Sequence, residues 1–154
     1  MYKFIIITFL LLAVSFGVHS QPNHQSTIDS LKKALPVLQA DARVDGLNKL
    51  CWLYILTNER DSAAHYADLA LTEAKSLNYE HGMGAALIGQ SKISCLFNDD
   101  FIQAEARARE ALKWYENTPN QQGIEVVYDQ LWNTLHAQSR YDEAINYVLK
   151  KQAY

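Results

Sequence analysis

Cys51 and Cys95 have the greatest intrinsic capacity for chemistry in this chain of 154 residues, because a thiolate can attack an electrophile, bind a metal or form a disulfide. No Cys-x-x-Cys motif and no closely spaced Cys/His pair accompanies them, so their spacing does not indicate a zinc site. Both lie on the apolar faces of periodic segments. We therefore predict two buried thiols, with a disulfide as the alternative in an oxidising compartment.

The histidines form no metal-binding or catalytic pattern. None of His24, His65, His81 and His136 stands four residues from another, so no single helix face presents two imidazoles to a metal ion. No Ser/His/Asp set or carboxylate pair has a recognisable spacing. The sequence therefore predicts no metal, no cofactor and no enzymatic activity, and an enzyme is the most distant of the functional alternatives.

Two short motifs look like fragments of ligand-binding loops. "NDD" (98–100) has oxygen ligands suited to calcium, but the other ligands of a calcium loop are missing, so it predicts a turn followed by a helix cap. "GMG" (82–84) lacks the Lys and Ser/Thr of a phosphate loop and follows a helical segment. Both motifs therefore indicate local backbone structure and not a ligand-binding loop.

The N-terminus has the pattern of an export signal. In "MYKFIIITFLLLAVSFGVHS" (1–20), Lys3 is the only charged side chain and an apolar run extends from Phe4 to Val18. Val18 and Ser20 are small enough for a signal peptidase site that cuts before Gln21. The run is shorter than the roughly 20 residues that a spanning helix needs. We predict a signal peptide over 1–20 and a periplasmic or other extracytoplasmic location; an uncleaved N-terminal anchor is the alternative.

The charge balance of the remaining chain is mildly acidic. Removing Lys3 lowers Lys+Arg from 14 to 13 against 17 Asp+Glu, which is a formal net charge of −4. Nucleic acids and anionic membrane surfaces attract basic proteins, so the composition argues against nucleic acid as a partner. The length suits one domain.

The segment "DDFIQAEARAREAL" (99–112) predicts a helix with a small-residue face. Its apolar residues recur at steps of three or four and share one side: Phe101, Ala104, Ala108, Ala111 and Leu112. Asp100, followed three residues later by Gln103, resembles a capping box and predicts a helix start near Asp100. Glu105 and Arg109 form an i,i+4 ion pair. A face built from alanine lets a neighbouring helix approach closely.

This helix recurs along the chain. Ala63, Ala67 and Ala70 lie 41 residues before Ala104, Ala108 and Ala111, and "YDEAINYVLKKQAY" (141–154) repeats the start of the pattern 40 residues later. Another apolar-periodic segment precedes each copy, at 43–58, 83–98 and 124–139. The chain is thus predicted to be a helix–turn–helix unit read three times, and such a period is typical of a solenoid.

The segment before the first unit is predicted to be a polar linker and a covering helix. "QPNHQST" (21–27) has the composition of a linker. Ile28, Leu31, Leu35 and Leu38 then step helically, although Pro36 would kink or end the helix. We expect a leading helix over 28–38 and one helical repeat domain over 28–154.

The repeated pattern resembles the tetratricopeptide repeat. The residues that match this family are Leu47, Leu50, Tyr54, Ala63, Ala67 and Ala70 in the first unit, Ile88, Phe101, Ala104 and Ala111 in the second, and Tyr128, Leu131, Tyr141 and Ala144 in the third. The resemblance covers about residues 41–154 and implies an all-α, right-handed solenoid of antiparallel helix pairs. The period of 40–41 residues exceeds the family's 34, and Lys92 and Trp132 stand where a small residue is common.

A narrower resemblance concerns "DSLKKALPVLQADARVDGLNKL" and the following "DSAAHYADLALTEAKSLNYEHGMGAAL". These stretches are similar to the extracytoplasmic repeat regions of bacterial membrane sensor histidine kinases and related regulators. The resemblance implies signal transduction by a non-catalytic scaffold that binds a protein or ligand as the sensory part of a larger protein. A stand-alone secreted adaptor is the alternative function.

The resemblance also implies a concave groove lined by the first helix of each unit. Its candidate ligand or partner contacts are Asn48, Trp52, Ile93, Phe97, Asp129, Asn133 and His136. Asn48 alone matches the family's carboxylate clamp, so capture of a chaperone tail is not expected. The apolar middle of the groove leaves two interpretations: it binds a protein or peptide, or another part of the parent chain packs there.

The pattern of the last segment predicts a helix with an exposed apolar face. Ile145, Val148 and Leu149 belong to the last helix, and no later residue of this sequence can cover it. A repeat array needs a polar terminal cap. We therefore expect a chain truncated at the C-terminus, with self-association through this last repeat.

Overall fold

The computed structural model describes residues 23–118 and 120–153, and these are all-helical, without a strand. The described residues form seven α-helices: α1 His24–Ala34, α2 Ala40–Leu56, α3 Arg60–Leu77, α4 Glu80–Phe97, α5 Phe101–Asn117, α6 Gln121–Ala137 and α7 Tyr141–Gln152. A 3-10 turn, Leu35–Val37, follows α1. The signal peptide predicted for 1–20 lies outside the described residues. In the part of the chain that is described, no helix is long and apolar enough to cross a membrane.

The first helix begins earlier than the sequence pattern indicated. α1 starts at His24, inside the segment 21–27 that was expected to be a linker, so that boundary is wrong. The reason is the Asn23 side chain, which accepts a hydrogen bond from the Ser26 N–H at 3.2 Å and caps the helix. Leu35 and Pro36 then form the 3-10 turn. The leading helix packs against α2 as expected and buries Ile28 completely.

The helices are joined by short turns, four of which share the same backbone conformation. A residue with positive φ occupies four of these turns: Asn58, Asn78, Asp99 and Ser139. Asn and Asp tolerate this left-handed conformation better than most residues. The next N–H then returns to a helix carbonyl, as from Tyr79 to Ala74 at 2.9 Å and from Arg140 to Leu135 at 2.9 Å. The "NDD" motif is such a turn, and the Asp100 side chain accepts from the Gln103 N–H at 2.9 Å, which confirms the predicted helix start.

The alanine faces are confirmed as packing surfaces. Ala63, Ala67 and Ala70 in α3, and Ala104, Ala108 and Ala111 in α5, have no exposed area. Their small side chains allow close approach: the Ser91 hydroxyl of α4 donates to the Ala104 carbonyl of α5 at 2.6 Å. From α1 to α7, each helix contacts the next, and α4 also contacts α2 and α6.

An ionic network attaches α7 to α5. Glu105 accepts from Arg109 on its own helix, which confirms the predicted pair, and from Arg140 at the start of α7. Arg109 also donates to the Tyr147 hydroxyl at 2.8 Å. Although burial raises the pKa of Glu105, the hydrogen bonds from the two arginines outweigh it and hold this pKa below its ordinary value. The last helix is therefore held by polar contacts as well as by the buried Ala144.

Candidate functional site: a groove between α2, α4 and α6

An open groove of about 610 Å³ lies between α2, α4 and α6. Its walls carry the aliphatic side chains Ile55, Ile88 and Val126, together with the ring of Trp52. Trp52 and Val126 are among the exposed large apolar residues. Predominantly apolar walls with a few polar groups are typical of sites that bind peptides or small molecules.

Three glycines allow side chains of neighbouring helices to pack closely beside this groove. At Gly89 of α4, an added Cβ would lie 2.8 Å from the Cys51 sulfur of α2, so the Cys51 side chain packs directly against the α4 backbone. The Tyr115 ring of α5 lies against both Gly84 and Gly123, where an added Cβ would come within 2.7 Å and 2.6 Å of ring atoms. Tyr115 is thus placed under the groove by residues of α4 and α6.

One wall holds a cation against an aromatic ring. The Lys92 ammonium of α4 lies 5.0 Å from the centre of the Trp52 ring of α2. Burial lowers the pKa of Lys92, while the negative charge of Asp129, which also lines the groove, acts in the opposite direction. A desolvated cation over an indole face contributes about 0.5–2 kcal/mol and keeps both side chains in place. The pair therefore places an indole ring and a positive charge side by side on the groove wall.

Two further polar groups of the groove, Asn48 and Asp129, form hydrogen bonds to neighbouring helices. Asn48 donates from Nδ2 to the Gly82 carbonyl at 3.2 Å, whereas its Oδ1 is buried and has no hydrogen-bond partner among the described residues. Asp129 accepts two hydrogen bonds from the Lys151 ammonium of α7, at 2.7 and 2.8 Å. An unpaired buried acceptor costs about 1–3 kcal/mol.

Three of the predicted contact residues, Asn48, Trp52 and Asp129, line this groove together. Ile93 lies instead in a shallow pocket of about 190 Å³ that includes residues of α3 and α5. The reason is helical phase: the groove positions of α4 are His81, Ala85, Ile88, Gly89 and Lys92, and one further residue turns the side chain by about 100°. Ile93 therefore lies on a side of α4 that does not line the groove.

The remaining predicted contact residues lie outside the groove. Phe97 is half-buried against the core near the end of α4. Asn133 and His136 are exposed on α6. The His136 ring stacks on Trp132 at 5.2 Å between centres and meets the Tyr141 ring of α7 at the same distance. Asn133 and His136 thus belong to the α6–α7 end of the molecule.

Lys92 and Tyr115 are groove residues that sequence reasoning missed. Lys92 carried a signal, because it stands where a small residue is usual in the resembling repeat. Tyr115 carried none, because it belongs to α5, a second helix of a repeat unit, and reaches the groove only past Gly84 and Gly123.

Both cysteines are free thiols, and they differ in burial. Cys51 is buried, as predicted, whereas Cys95 is half-buried. Among residues 23–118 and 120–153, no three His, Cys, Asp or Glu side chains come together in a group that could hold a metal ion. Burial raises the pKa of Cys51 to about 12, and the charge of Asp68 adds to this. Burial also raises the pKa of Cys95, but Thr134 and Lys92 oppose the rise.

We expect the two thiols to react at different rates in the native protein. With a maleimide at mildly alkaline pH, Cys95 should be modified at least about tenfold faster than Cys51, because only the exposed thiolate reacts. Mass spectrometry of digested protein measures both rates, and Cys95→Ser should remove the fast phase. Equal rates in folded protein would contradict the burial of Cys51.

Comparison with protein-family models finds no matching family, and comparisons with curated proteins and with solved structures find no match. The resemblance to tetratricopeptide repeats therefore stays a prediction made from the residues.

Proposed function

We propose that this chain is a right-handed solenoid of antiparallel helix pairs, built from about three tetratricopeptide-like repeats of 40–41 residues. Equivalent alanines support the repeat, because Ala63, Ala104 and Ala144 are all buried at helix contacts. The recurring turns and the contacts of α4 with both α2 and α6 support the stacking of pairs. Short turns between consecutive helices favour antiparallel neighbours.

The proposed function is non-catalytic binding of a peptide or protein segment in the groove between α2, α4 and α6. The observation that carries it is the Trp52–Lys92 pair on the wall of a 610 Å³ apolar groove. A partly exposed tryptophan ring fixed in a concave surface is the kind of residue that contributes most binding energy at interfaces. An apolar side chain of the partner would lie on the ring.

This binding scaffold is proposed to act outside the cytoplasm, as the sensory or interaction region of a larger signalling protein. Support comes from the export pattern of residues 1–20 and from the resemblance to extracytoplasmic sensor regions. The groove is the surface through which the rest of a parent chain or a separate protein would be recognised.

Selection of peptides tests the groove directly. A random peptide library displayed on phage is selected on the purified protein, and the affinity of enriched peptides is then measured by isothermal calorimetry. Trp52→Ala should weaken binding about 30-fold or more, which is the effect of losing a residue worth about 2 kcal/mol. Lys92→Met should weaken it less, because the apolar stem is kept.

Ile102→Ala is the matched control for this experiment, since Ile102 is an exposed large apolar residue on α5 that does not line the groove. Circular dichroism checks that each variant is folded. Peptides that bind Trp52→Ala as tightly as the unmodified protein would place recognition elsewhere. A selection that enriches no peptide would count against the proposed function.

A further inference from the structure

The two ends of the groove between α2, α4 and α6 differ in chemistry. Helices α2 and α4 run alongside each other in the same direction. Asn48 of α2 donates to the Gly82 carbonyl at the start of α4, and one turn later on α2 the Trp52 ring contacts Lys92, which is also further along α4. The end near the start of α4 and α6 is lined by an imidazole and two amides, those of His81, Asn120 and Gln122. A molecule bound along the groove therefore meets hydrogen-bonding groups at one end and a positive charge towards the other.

A short apolar stretch separates these two ends. His81 and Lys92 are eleven residues apart on α4, which is a distance of about 16 Å along the helix axis. Between them, α4 lines the groove with Ala85, Ile88 and Gly89, none of which has a polar side chain. An extended chain covers such a distance in about five residues. The groove thus has the length of a short extended segment that is apolar in its middle.

Lys92 is a cation of the groove without a carboxylate partner. In the part of the chain that the structure describes, no Asp or Glu oxygen forms an ion pair with its ammonium. Asp129, an acidic residue that lines the groove, is bound to the Lys151 ammonium by two hydrogen bonds. Burial lowers the pKa of Lys92, because the surrounding protein solvates its charged form less well than water does. A carboxylate brought by a ligand would compensate this charge.

The surroundings of Lys92 suit a single negative charge on a chain that continues beyond it. Asp129 is close enough for its charge to act on Lys92, so a second carboxylate of the ligand would meet repulsion from Asp129. The groove wall also extends past this point, because Ile55 lies three residues beyond Trp52 on α2 and lines the groove. A segment that places an acidic side chain at Lys92 therefore has apolar surface available for its following residues.

We propose that the groove selects an acidic segment of a partner protein, an extended stretch of about five residues in which an internal Asp or Glu side chain pairs with Lys92. An apolar side chain next to this acid lies on the Trp52 ring. Polar groups at the other end of the stretch meet His81, Asn120 and Gln122. This inference rests on the proposed peptide binding and adds to it the chemical class of the segment that is bound.

A double-mutant cycle tests the pairing. Peptides enriched by the phage selection are synthesised with both ends capped, and each is compared with a version in which its acidic residue is replaced by the corresponding amide. Isothermal calorimetry should show that the unmodified protein binds the acidic version about tenfold more tightly, which is the effect of a hydrogen bond between charged groups. Lys92→Met should reduce this ratio to about one. Lys92→Arg keeps the positive charge and should retain most of the preference.

Two further variants separate the local pair from the overall charge of the protein. Asp129→Asn removes the negative charge beside Lys92 and should strengthen binding of the acidic peptide about two- to fivefold. Lys75→Met is the matched control, since it removes a lysine from an exposed position on α3 that does not line the groove. At about 0.15 M salt, where distant surface charges are screened, it should change the affinity less than about twofold.

The outcomes distinguish this inference from the function on which it rests. If the enriched peptides depend on Trp52 but carry no acidic residue, or bind equally well as amides, peptide binding stands and the acidic class is wrong. If Lys75→Met lowers the preference as much as Lys92→Met, net charge causes it and Lys92 does not pair with the acid. Binding that is lost when the C-terminus is capped would overturn the internal position of the carboxylate. A selection that enriches no peptide would overturn both proposals.

Discussion

Replacing Tyr115 by alanine is expected to lower the free energy of unfolding by about 3–5 kcal/mol, the usual cost of deleting a buried aromatic side chain. Only 4% of Tyr115 is exposed. Its ring fills the space that Gly84 of α4 and Gly123 of α6 leave open, so three helices lose a common contact when it is removed. Neither glycine carries a side chain that could move into the cavity. Denaturant-induced unfolding followed by circular dichroism measures the change.

Tyr115→Phe is the control at the same position. It keeps the ring and removes only the hydroxyl, so it should change the free energy of unfolding by less than about 1.5 kcal/mol. A loss of under 1 kcal/mol for Tyr115→Ala would contradict this prediction, because it would show that the surrounding helices close over the gap. Tyr115→Ala should also enlarge the groove, since Tyr115 lines it.

The helices could be predicted from the sequence because, within one helix, several independent features indicate the same element. At α5, the alanine spacing, the Asp100 cap and the Glu105–Arg109 pair all indicate the same helix, and each of them is present in the structure. At α1, one signal was misread: the polar residues after Asn23 were taken as a linker, although Asn23 itself is a helix cap. Composition alone cannot distinguish a polar first turn from a loop, whereas a capping side chain can.

The groove was harder to predict because it depends on helical phase and on contacts between helices. In α4 most positions between Gly82 and Ser91 are apolar or small, so this stretch does not show which side faces the groove. Ile93 was predicted as a groove contact, but it lines a different pocket. In α2, Asn48 and Trp52 are a polar and an aromatic residue one turn apart, and both line the groove. Tyr115 reaches the groove only because two glycines on other helices admit its ring.

The strongest test of the alanine faces is Ala104→Leu in α5. Ala104 has no exposed area, and its carbonyl accepts the Ser91 hydroxyl of α4 at 2.6 Å, so the two backbones are too close for a larger side chain between them. Overpacking at such a contact should lower the free energy of unfolding by about 1–3 kcal/mol, measured by denaturant titration.

Ala106→Leu makes the same change two residues later on the same helix, where the side chain is exposed. Leucine and alanine have similar helix propensities, so the control isolates packing from helix formation, and its effect should stay within about 0.5 kcal/mol. Equal losses for the two variants would mean that Ala104 does not face α4. A large loss for Ala104→Leu alone would establish close approach of α4 and α5, the contact on which the proposed stacking of helix pairs depends.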